Sequence, residues 1–183
     1  MLIPMADYAW GAAVANDLVS TSPTVRGAEG LPTAEALAEF LTRHDLPPGS
    51  ADDLFAVQLF RREARGVLET ETEEHAVMGA TVLARRAGLS PVLDRDPSAR
   101  WQWYVPTAPD ASLADELAAL VGVALLGVVR TLGHERFRAC LAPGCRGVFA
   151  DISRAGRRRY CMPDVCGNRL NVANHRDRRR VVS

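Results

Sequence analysis

Residues 140–169 read CLAPGCRGVFADISRAGRRRYCMPDVCGNR and contain every cysteine of the chain. The cysteines form two C-x4-C pairs separated by fifteen residues: Cys140 with Cys145, and Cys161 with Cys166. Two closely spaced pairs can supply four thiolates to one tetrahedral Zn²⁺ while the segment between them folds into a hairpin. Four buried structural thiols or two disulfides are the alternatives, but the confinement of all four cysteines to one short segment favours a metal. We therefore predict one structural zinc ion bound by these cysteines.

The segment between the pairs predicts the local fold of this zinc module. Val148–Asp151 and Arg158–Tyr160 are short strand candidates on either side of the turn SRAG, residues 153–156. Gly144 allows a tight turn within the first pair, and Cys166 lies at the start of a helix-compatible run. The predicted order is a tight turn that carries the first cysteine pair, then a hairpin, then a helix that carries the last ligand. This order is treble-clef-like.

The charge of the chain is divided unevenly around residue 134. Residues 1–134 carry a net charge of −8, whereas residues 135–183, with twelve arginines and four acidic residues, carry +8. All 22 basic residues are arginines, the residue type that makes two-pronged contacts to phosphates and guanine edges. The basic segment therefore favours nucleic acid as a partner. The alternatives are a solvated tail, or contacts with the acidic first part of the chain within one molecule or across a dimer.

Helical spacing of apolar residues predicts a mainly helical N-terminal domain. The predicted helices span residues 7–21, 33–44, 53–68, 77–88 and 112–132, with the acidic run Glu69–Glu74 as a break. The turn DPSA, followed by alternating Trp101, Trp103 and Val105, predicts a β-hairpin. We therefore expect an α+β fold. A mostly helical domain with a small β-hairpin is predicted over residues 1–134, and the treble-clef-like four-cysteine zinc module over residues 135–183.

Several function classes are disfavoured by the sequence. The first ten residues lack a basic stretch followed by a long apolar run, and charged residues interrupt the apolar segment Leu113–Leu132, so we expect neither a secretory signal nor a membrane span. A cytoplasmic location follows, in which thiols stay reduced and clustered cysteines bind metals. The sequence contains no nucleophile elbow, phosphate-binding loop or HExxH motif, so we expect no enzymatic activity.

The motifs CLAPGC, FADIS, RRRYC and CGNR, followed by an arginine-rich segment, resemble the CGNR zinc-finger family of bacterial proteins. In the N-terminal part, DLVST (residues 17–21) and FRREA (residues 60–64) resemble the ABATE domain of stress-induced transcription regulators. The resemblance implies zinc ligation by the four cysteines and DNA binding by the C-terminal module. It also implies a bacterial cytoplasmic regulator that associates with the nucleoid when it is bound to DNA.

The residues after CGNR form one polar stripe if they are helical. Asn171, Asn174, His175 and Arg178 lie at i, i+3, i+4 and i+7, and Asn and Arg are the residue types that pair with adenine and guanine edges. We predict that this stripe reads bases. Phosphate contacts, which position a protein without specifying a sequence, are predicted for Arg154, Arg157, Arg158, Arg176, Arg179 and Arg180.

Two residues of the CGNR motif are predicted to brace the zinc site. Arg169 is expected to tie the helix to the hairpin through Asp151, and Asn168 to hydrogen-bond a ligand sulfur or to cap the helix. These side chains would act on the metal site and not on bases.

The N-terminal domain of a regulator is expected to sense a small effector, to form a homodimer, or both. The polar and aromatic residues predicted for an effector pocket are Asp17, Arg61, Arg62, Arg65, Trp101 and Trp103. Two other functions stay open from the sequence. One is a zinc-stabilised module that docks an acidic protein partner, and the other is a redox sensor that uses the thiols.

Overall fold

The computed structural model of the chain describes residues 1–167, which form an α+β fold. The helices of the N-terminal part have the bounds Tyr8–Ser20 (α1), Pro23–Arg26 (α2), Ala34–Arg43 (α3), Asp53–Leu68 (α4), Glu73–Ala84 (α5) and Leu113–Leu132 (α6). The helices that the apolar spacing predicts are confirmed, and the acidic run Glu69–Glu74 spans the break between α4 and α5.

Side chains that accept backbone hydrogen bonds fix where four of these helices begin. Each N-cap oxygen accepts from the amide three residues later, which satisfies one of the unpaired N–H groups of the first helical turn. The four N-caps are Asp7 for α1, Thr33 for α3, Thr72 for α5 and Ser112 for α6. Local chemistry therefore sets these helix boundaries.

Helix α6 lies at the centre of the packing. Most of its residues are buried because it contacts α1, α4 and α5. Gly122 allows the closest approach, since a Cβ atom at that position would overlap the backbone nitrogen of Ala84. An ion pair joins Arg86, just after α5, to Asp115 in the first turn of α6, so the two helices run antiparallel. None of the helices that the structure describes is both long and apolar enough to cross a membrane.

A three-stranded antiparallel sheet adjoins the helices. Its strands are Leu2–Pro4 (β1), Val92–Arg95 (β2) and Trp101–Pro106 (β3), with β3 in the middle. The predicted hairpin is confirmed as β2 and β3, whereas β1 is too short, and too far from β3 in sequence, for periodicity to indicate it. Ile3 and Val105 pair across β1 and β3, and both side chains are buried in the main core.

The residues after α6 form a second, two-stranded antiparallel sheet from Phe137–Ala139 (β4) and Val148–Ala150 (β5). The strand predicted before the SRAG turn is confirmed as β5. The strand predicted at Arg158–Tyr160 is wrong, because those residues lie outside any strand and β5 pairs with β4. The amide of Arg158 donates to the carboxylate of Asp151, and the carbonyl of Arg159 accepts from the amide of Leu141, each at 3.0 Å. The segment therefore bonds to the loop between β4 and β5 and not to β5 itself.

The β4–β5 hairpin packs directly on the helices. Val148 and Ala150 belong to the main core and lie against α1 and α4. Phe149, between them in sequence, joins a smaller core with Val25 and the buried cysteines. β5 therefore has apolar neighbours on both faces and connects the helices to the cysteine cluster. The predicted division of the chain at residue 134 stays a prediction.

Candidate metal centre

Four sulfur atoms come together beside the β4–β5 hairpin. Cys140 and Cys145 lie in the loop between β4 and β5, and their side chains meet those of Cys161 and Cys166. All four Sγ atoms lie within 4.8 Å of one another. The Sγ of Cys161 is 3.6 Å from that of Cys145 and 3.7 Å from that of Cys166, and the last two are 3.8 Å apart. The structure thus brings together the cysteines that the sequence predicts as one ligand set.

These spacings fit a tetrahedral zinc ion. Zn–S bonds of about 2.3 Å place two sulfurs of a tetrahedron about 3.8 Å apart. All four cysteines are free thiols, and three of them are buried. A set of four soft donors with no open coordination position is typical of structural zinc sites, not catalytic ones. The arrangement could therefore hold a metal ion whose role is to support the fold.

Burial and hydrogen bonding change the acidity of the thiols in opposite directions. Burial opposes the ionisation of Cys140, but the backbone amides of Ala142 and Cys161 donate to its sulfur and hold the pKa of this thiol below its ordinary value. Burial raises the pKa of the Cys161 and Cys166 thiols. A metal ion must displace protons from these two buried groups, so its binding is stronger at higher pH.

The turn after Cys145 leaves no room for a side chain. The amide of Gly147 donates to the Cys145 sulfur at 3.3 Å, and the carbonyl of Gly147 accepts from the Cys140 amide at 2.7 Å. A Cβ atom at Gly147 would overlap the sulfur of Cys161. Glycine at this position therefore lets the two cysteine pairs approach the same point.

Asp151 is fully buried and braces the segment between the two cysteine pairs. One carboxylate oxygen accepts from the amide and the hydroxyl of Ser153, at 3.0 and 2.5 Å. The other accepts from the Arg138 guanidinium and the Arg158 amide, each at 3.0 Å. Burial opposes ionisation, but these contacts outweigh it and hold the pKa of Asp151 below its ordinary value. The carboxylate therefore fixes β4 to the segment that leads into the second pair.

Arg158 is predicted as a phosphate contact, and the structure gives its guanidinium several partners inside the module. It lies 4.7 Å from the centre of the Phe149 ring and donates to the carbonyls of Tyr160 and Cys161. Arg154 and Arg157 are exposed on the same segment. The other residues predicted to brace the metal or to bind DNA lie outside the described residues: Asn168, Arg169, Asn171, Asn174, His175, Arg176, Arg178, Arg179 and Arg180.

Two polar residues of the helices hold the hairpin in place. Asn16, buried in α1, donates to the carbonyl of Ala150 at 2.9 Å and accepts from its amide at 2.7 Å. Arg65 of α4 donates to the carbonyl of Arg146 at 2.6 Å. Asn16 is not among the residues predicted above, although an asparagine on the apolar face of a helix indicates a buried hydrogen bond.

The structure places the residues predicted for an effector pocket in different surroundings. Arg61 is buried, and its guanidinium binds both carboxylate oxygens of Glu29, at 2.5 and 2.7 Å, which holds the pKa of Glu29 below its ordinary value. The carboxylate of Asp17 lies 3.2 Å from Nε2 of His44, and this contact lowers the pKa of the aspartate. Arg61 and Asp17 thus have partners within the protein.

The other predicted pocket residues lie closer to the surface. Trp101 and Trp103 are exposed on β3, where Arg95 stacks over Trp101 at 4.4 Å from the ring centre. Arg62 is exposed on α4, and Arg65 on the same helix bonds to the hairpin. The structure does not assemble these residues into one site.

Two family models match the chain in the N-to-C order that the motifs predict. The ABATE model, described as "Putative stress-induced transcription regulator", matches residues 12–131. The model of the CGNR zinc finger matches residues 136–179 and therefore includes all four cysteines. No curated protein matches the chain. From its match to most of the helical part and to the cysteine module, the chain belongs to the ABATE family and carries a CGNR zinc finger after the ABATE domain.

Proposed function

We propose that the protein is a DNA-binding transcription regulator whose C-terminal module is supported by one structural zinc ion. The matches to the ABATE regulators and to the CGNR zinc finger support this class. The observation that carries the proposal is a group of exposed arginines on the segments that the four cysteines hold together. A cytoplasmic location, where thiols stay reduced, is part of the proposal. The lack of enzymatic activity is part of it too, because four thiolates leave the metal no open position for a substrate.

The module divides its arginines between internal contacts and the surface. Arg138 and Arg158 are partly buried, and they bond to Asp151 and to backbone carbonyls. Contacts from exposed arginines to phosphate oxygens hold a protein on a DNA duplex without selecting a base sequence. The exposed arginines of the described part of the module are Arg146, Arg154, Arg157 and Arg159.

A zinc ion at the cysteines would fix the positions of these arginines. Cys140 and Cys145 lie on either side of the first turn, and Cys161 follows the exposed arginine segment directly. Residues 163–167 are helical, and the amide of Cys166 donates to the carbonyl of Met162 at 2.8 Å. Base reading is proposed for the sequence that follows, by Asn171, Asn174, His175 and Arg178, with phosphate contacts from Arg176, Arg179 and Arg180.

Effector sensing by the N-terminal domain completes the proposal. Asn16 on α1 and Arg65 on α4 both bond to the backbone of the zinc module, at Ala150 and Arg146. A ligand that shifted either helix would therefore act directly on the segment that carries the arginines. A shift of this kind would move the arginines without any change at the four cysteines.

Fluorescence anisotropy of the zinc-loaded full chain, with duplex DNA selected from a random pool, tests the proposal. We expect binding that weakens steeply as salt rises, because neutralised phosphates release counterions. The combined change Arg154→Ala, Arg157→Ala and Arg159→Ala should lower the affinity at least about tenfold and reduce the salt slope by about three. The combined change Asn171→Ala, Asn174→Ala and Arg178→Ala should keep zinc and remove the sequence preference.

Two exposed arginines of the β2–β3 hairpin, Arg95 and Arg100, provide the control. Their replacement by alanine should leave DNA affinity unchanged, since they lie outside the module. DNA affinity that is absent in the zinc-loaded protein, or that is equal in the arginine-depleted variant, contradicts the proposal. Salt-sensitive binding to an acidic peptide in place of DNA would identify the module as a protein-docking unit.

A further inference from the structure

A cavity with a volume of about 340 Å³ lies between α5, α6 and the β1–β3 sheet. Its apolar walls are formed by Met5, Leu89, Val105, Val123 and Leu126. Small-molecule sites are typically cavities of about 300–1,000 Å³ with mainly apolar walls and a few polar groups. All the lining residues belong to the ABATE domain or its flanks, so the cavity is separate from the cysteine cluster.

Two arginines border this apolar space. Arg85 directly follows α5, Arg130 lies in the last turn of α6, and both line the cavity. Because α5 and α6 are antiparallel, Arg85 and Arg130 reach the cavity from opposite ends of the helix pair. Within residues 1–167, neither guanidinium has a hydrogen bond or an ion pair.

Both arginines are exposed, and the residue next to Arg85 shows that an arginine at this end of α5 can find partners within the protein. Arg86, next to Arg85, is paired with Glu63 and Asp115, each at 2.6 Å. Glu73 lines an adjacent cavity together with Arg130, but the two side chains are not paired. A cation is favourable near the C-terminal end of a helix, whichever side of the helix it lies on. That effect explains the residue type at the two helix ends, but not the location of both arginines at one apolar cavity.

We propose that this cavity binds a fatty acid, with the acyl chain between α5, α6 and the sheet and the carboxylate at Arg85 and Arg130. The carboxylate would supply the negative charge with which neither arginine is paired within residues 1–167. A second, more open cavity on the protein surface also has Met5 in its wall, together with Pro91 and Trp103. This inference rests on the effector-sensing part of the proposed function and names its ligand class, and it is independent of DNA binding.

Calorimetric titration of the zinc-loaded full chain with dodecanoate, below its micellar concentration and without DNA, tests the inference. We expect saturable one-to-one binding. The double change Arg85→Gln and Arg130→Gln should weaken it at least about tenfold, because charge-assisted hydrogen bonds to the carboxylate are lost. The control Arg43→Gln removes another exposed arginine from the last turn of a helix, α3, and should have no effect. Dodecanol should bind more weakly than dodecanoate.

A cavity-filling change locates the ligand. Leu126→Trp should abolish dodecanoate binding, and the smaller change Val123→Phe serves the same purpose if the first variant fails to fold by circular dichroism. The absence of saturable binding overturns the inference, as does equal binding by the double arginine variant. Sedimentation shows whether the protein is a dimer. A dimer that the change Leu126→Arg dissociates would identify a second copy of the chain as the occupant of the cavity, and would also overturn the inference. Binding of dodecanoate without binding of DNA contradicts only the proposed DNA-binding function. Binding of DNA without binding of dodecanoate contradicts only this inference.

Discussion

Gly147 has no room for a side chain beside the cysteine cluster, because a methyl group there would overlap the sulfur of Cys161. We expect Gly147→Ala to push the two cysteine pairs apart. The zinc affinity should fall at least about tenfold, and the folded state should lose about 1–3 kcal/mol, as is usual for overpacking at a close contact. Competition with a chromophoric chelator measures the affinity, and urea unfolding measures the stability.

The matched control is Gly66→Ala. Gly66 lies within α4, and a methyl group there would meet no atom within 4 Å. This change should leave zinc affinity unchanged and raise stability by up to about 1 kcal/mol, because alanine favours a helix more than glycine does. Unchanged zinc affinity in Gly147→Ala would show that the loop relaxes without cost and that the close approach is not needed.

The arginines of the RRRYC motif have different roles that the sequence alone does not distinguish. Arg157 and Arg159 are exposed, whereas Arg158 between them stacks on Phe149 and bonds to backbone carbonyls near the cysteines. A run of identical residues carries no periodic signal that would separate these two roles. The cysteine spacing, by contrast, predicts the ligand set from the sequence alone, because tetrahedral metal sites require closely spaced pairs of soft donors.

At the scale of elements, the contact between α1 and β5 depends on one buried side chain. Asn16 forms two hydrogen bonds with the backbone of Ala150. The change Asn16→Leu keeps the number of heavy atoms in the side chain, but it leaves the buried amide of Ala150 without a partner and its carbonyl with only the amide of Ile152. We expect a loss of about 2–4 kcal/mol in unfolding free energy, together with faster hydrogen exchange in β4 and β5. Urea unfolding and exchange mass spectrometry of the zinc-loaded protein measure both effects.

Gln58→Ala provides the comparison for this prediction. Gln58 of α4 donates to the carbonyl of Leu31 at 2.8 Å, so its removal also breaks a bond from a helix side chain to a distant backbone carbonyl. It should lower stability by about 1 kcal/mol without changing exchange in the hairpin. Equal exchange of β4 and β5 in Asn16→Leu and the original protein would mean that apolar packing alone holds the hairpin on α1.

Elements differ in how far their own sequence determines them. The helices are predictable because capping residues such as Thr33 and Ser112 and the apolar spacing are local signals. Strands β1, β4 and β5 have three residues each, too few to show alternation, and their pairing depends on distant segments. The pairing of β5 with β4, and not with Arg158–Tyr160, is therefore visible only in the folded molecule.

At the scale of the whole molecule, β5 connects two cores that have different sources of stability. Val148 and Ala150 pack with the helices, whereas Phe149 packs with Cys140, Cys161 and Cys166. The helical core contains large buried side chains and needs no metal to exclude water. Three of the six buried residues of the smaller core are cysteines, and without a metal their thiols offer each other only weak hydrogen bonds.

Removal of the metal should therefore separate the two parts of the structure. In excess chelator, we expect the segments 140–147 and 157–167 to exchange backbone hydrogens freely, because metal binding and folding are coupled in small four-cysteine modules. α6 and the β1–β3 sheet should stay protected, and most of the helical circular dichroism should remain. Exchange mass spectrometry at neutral pH, with restored protection on adding Zn²⁺, measures this. If α6 also loses protection on chelation, both cores unfold as one unit. In that case the loss of the metal destabilises the helices through their contacts with β5.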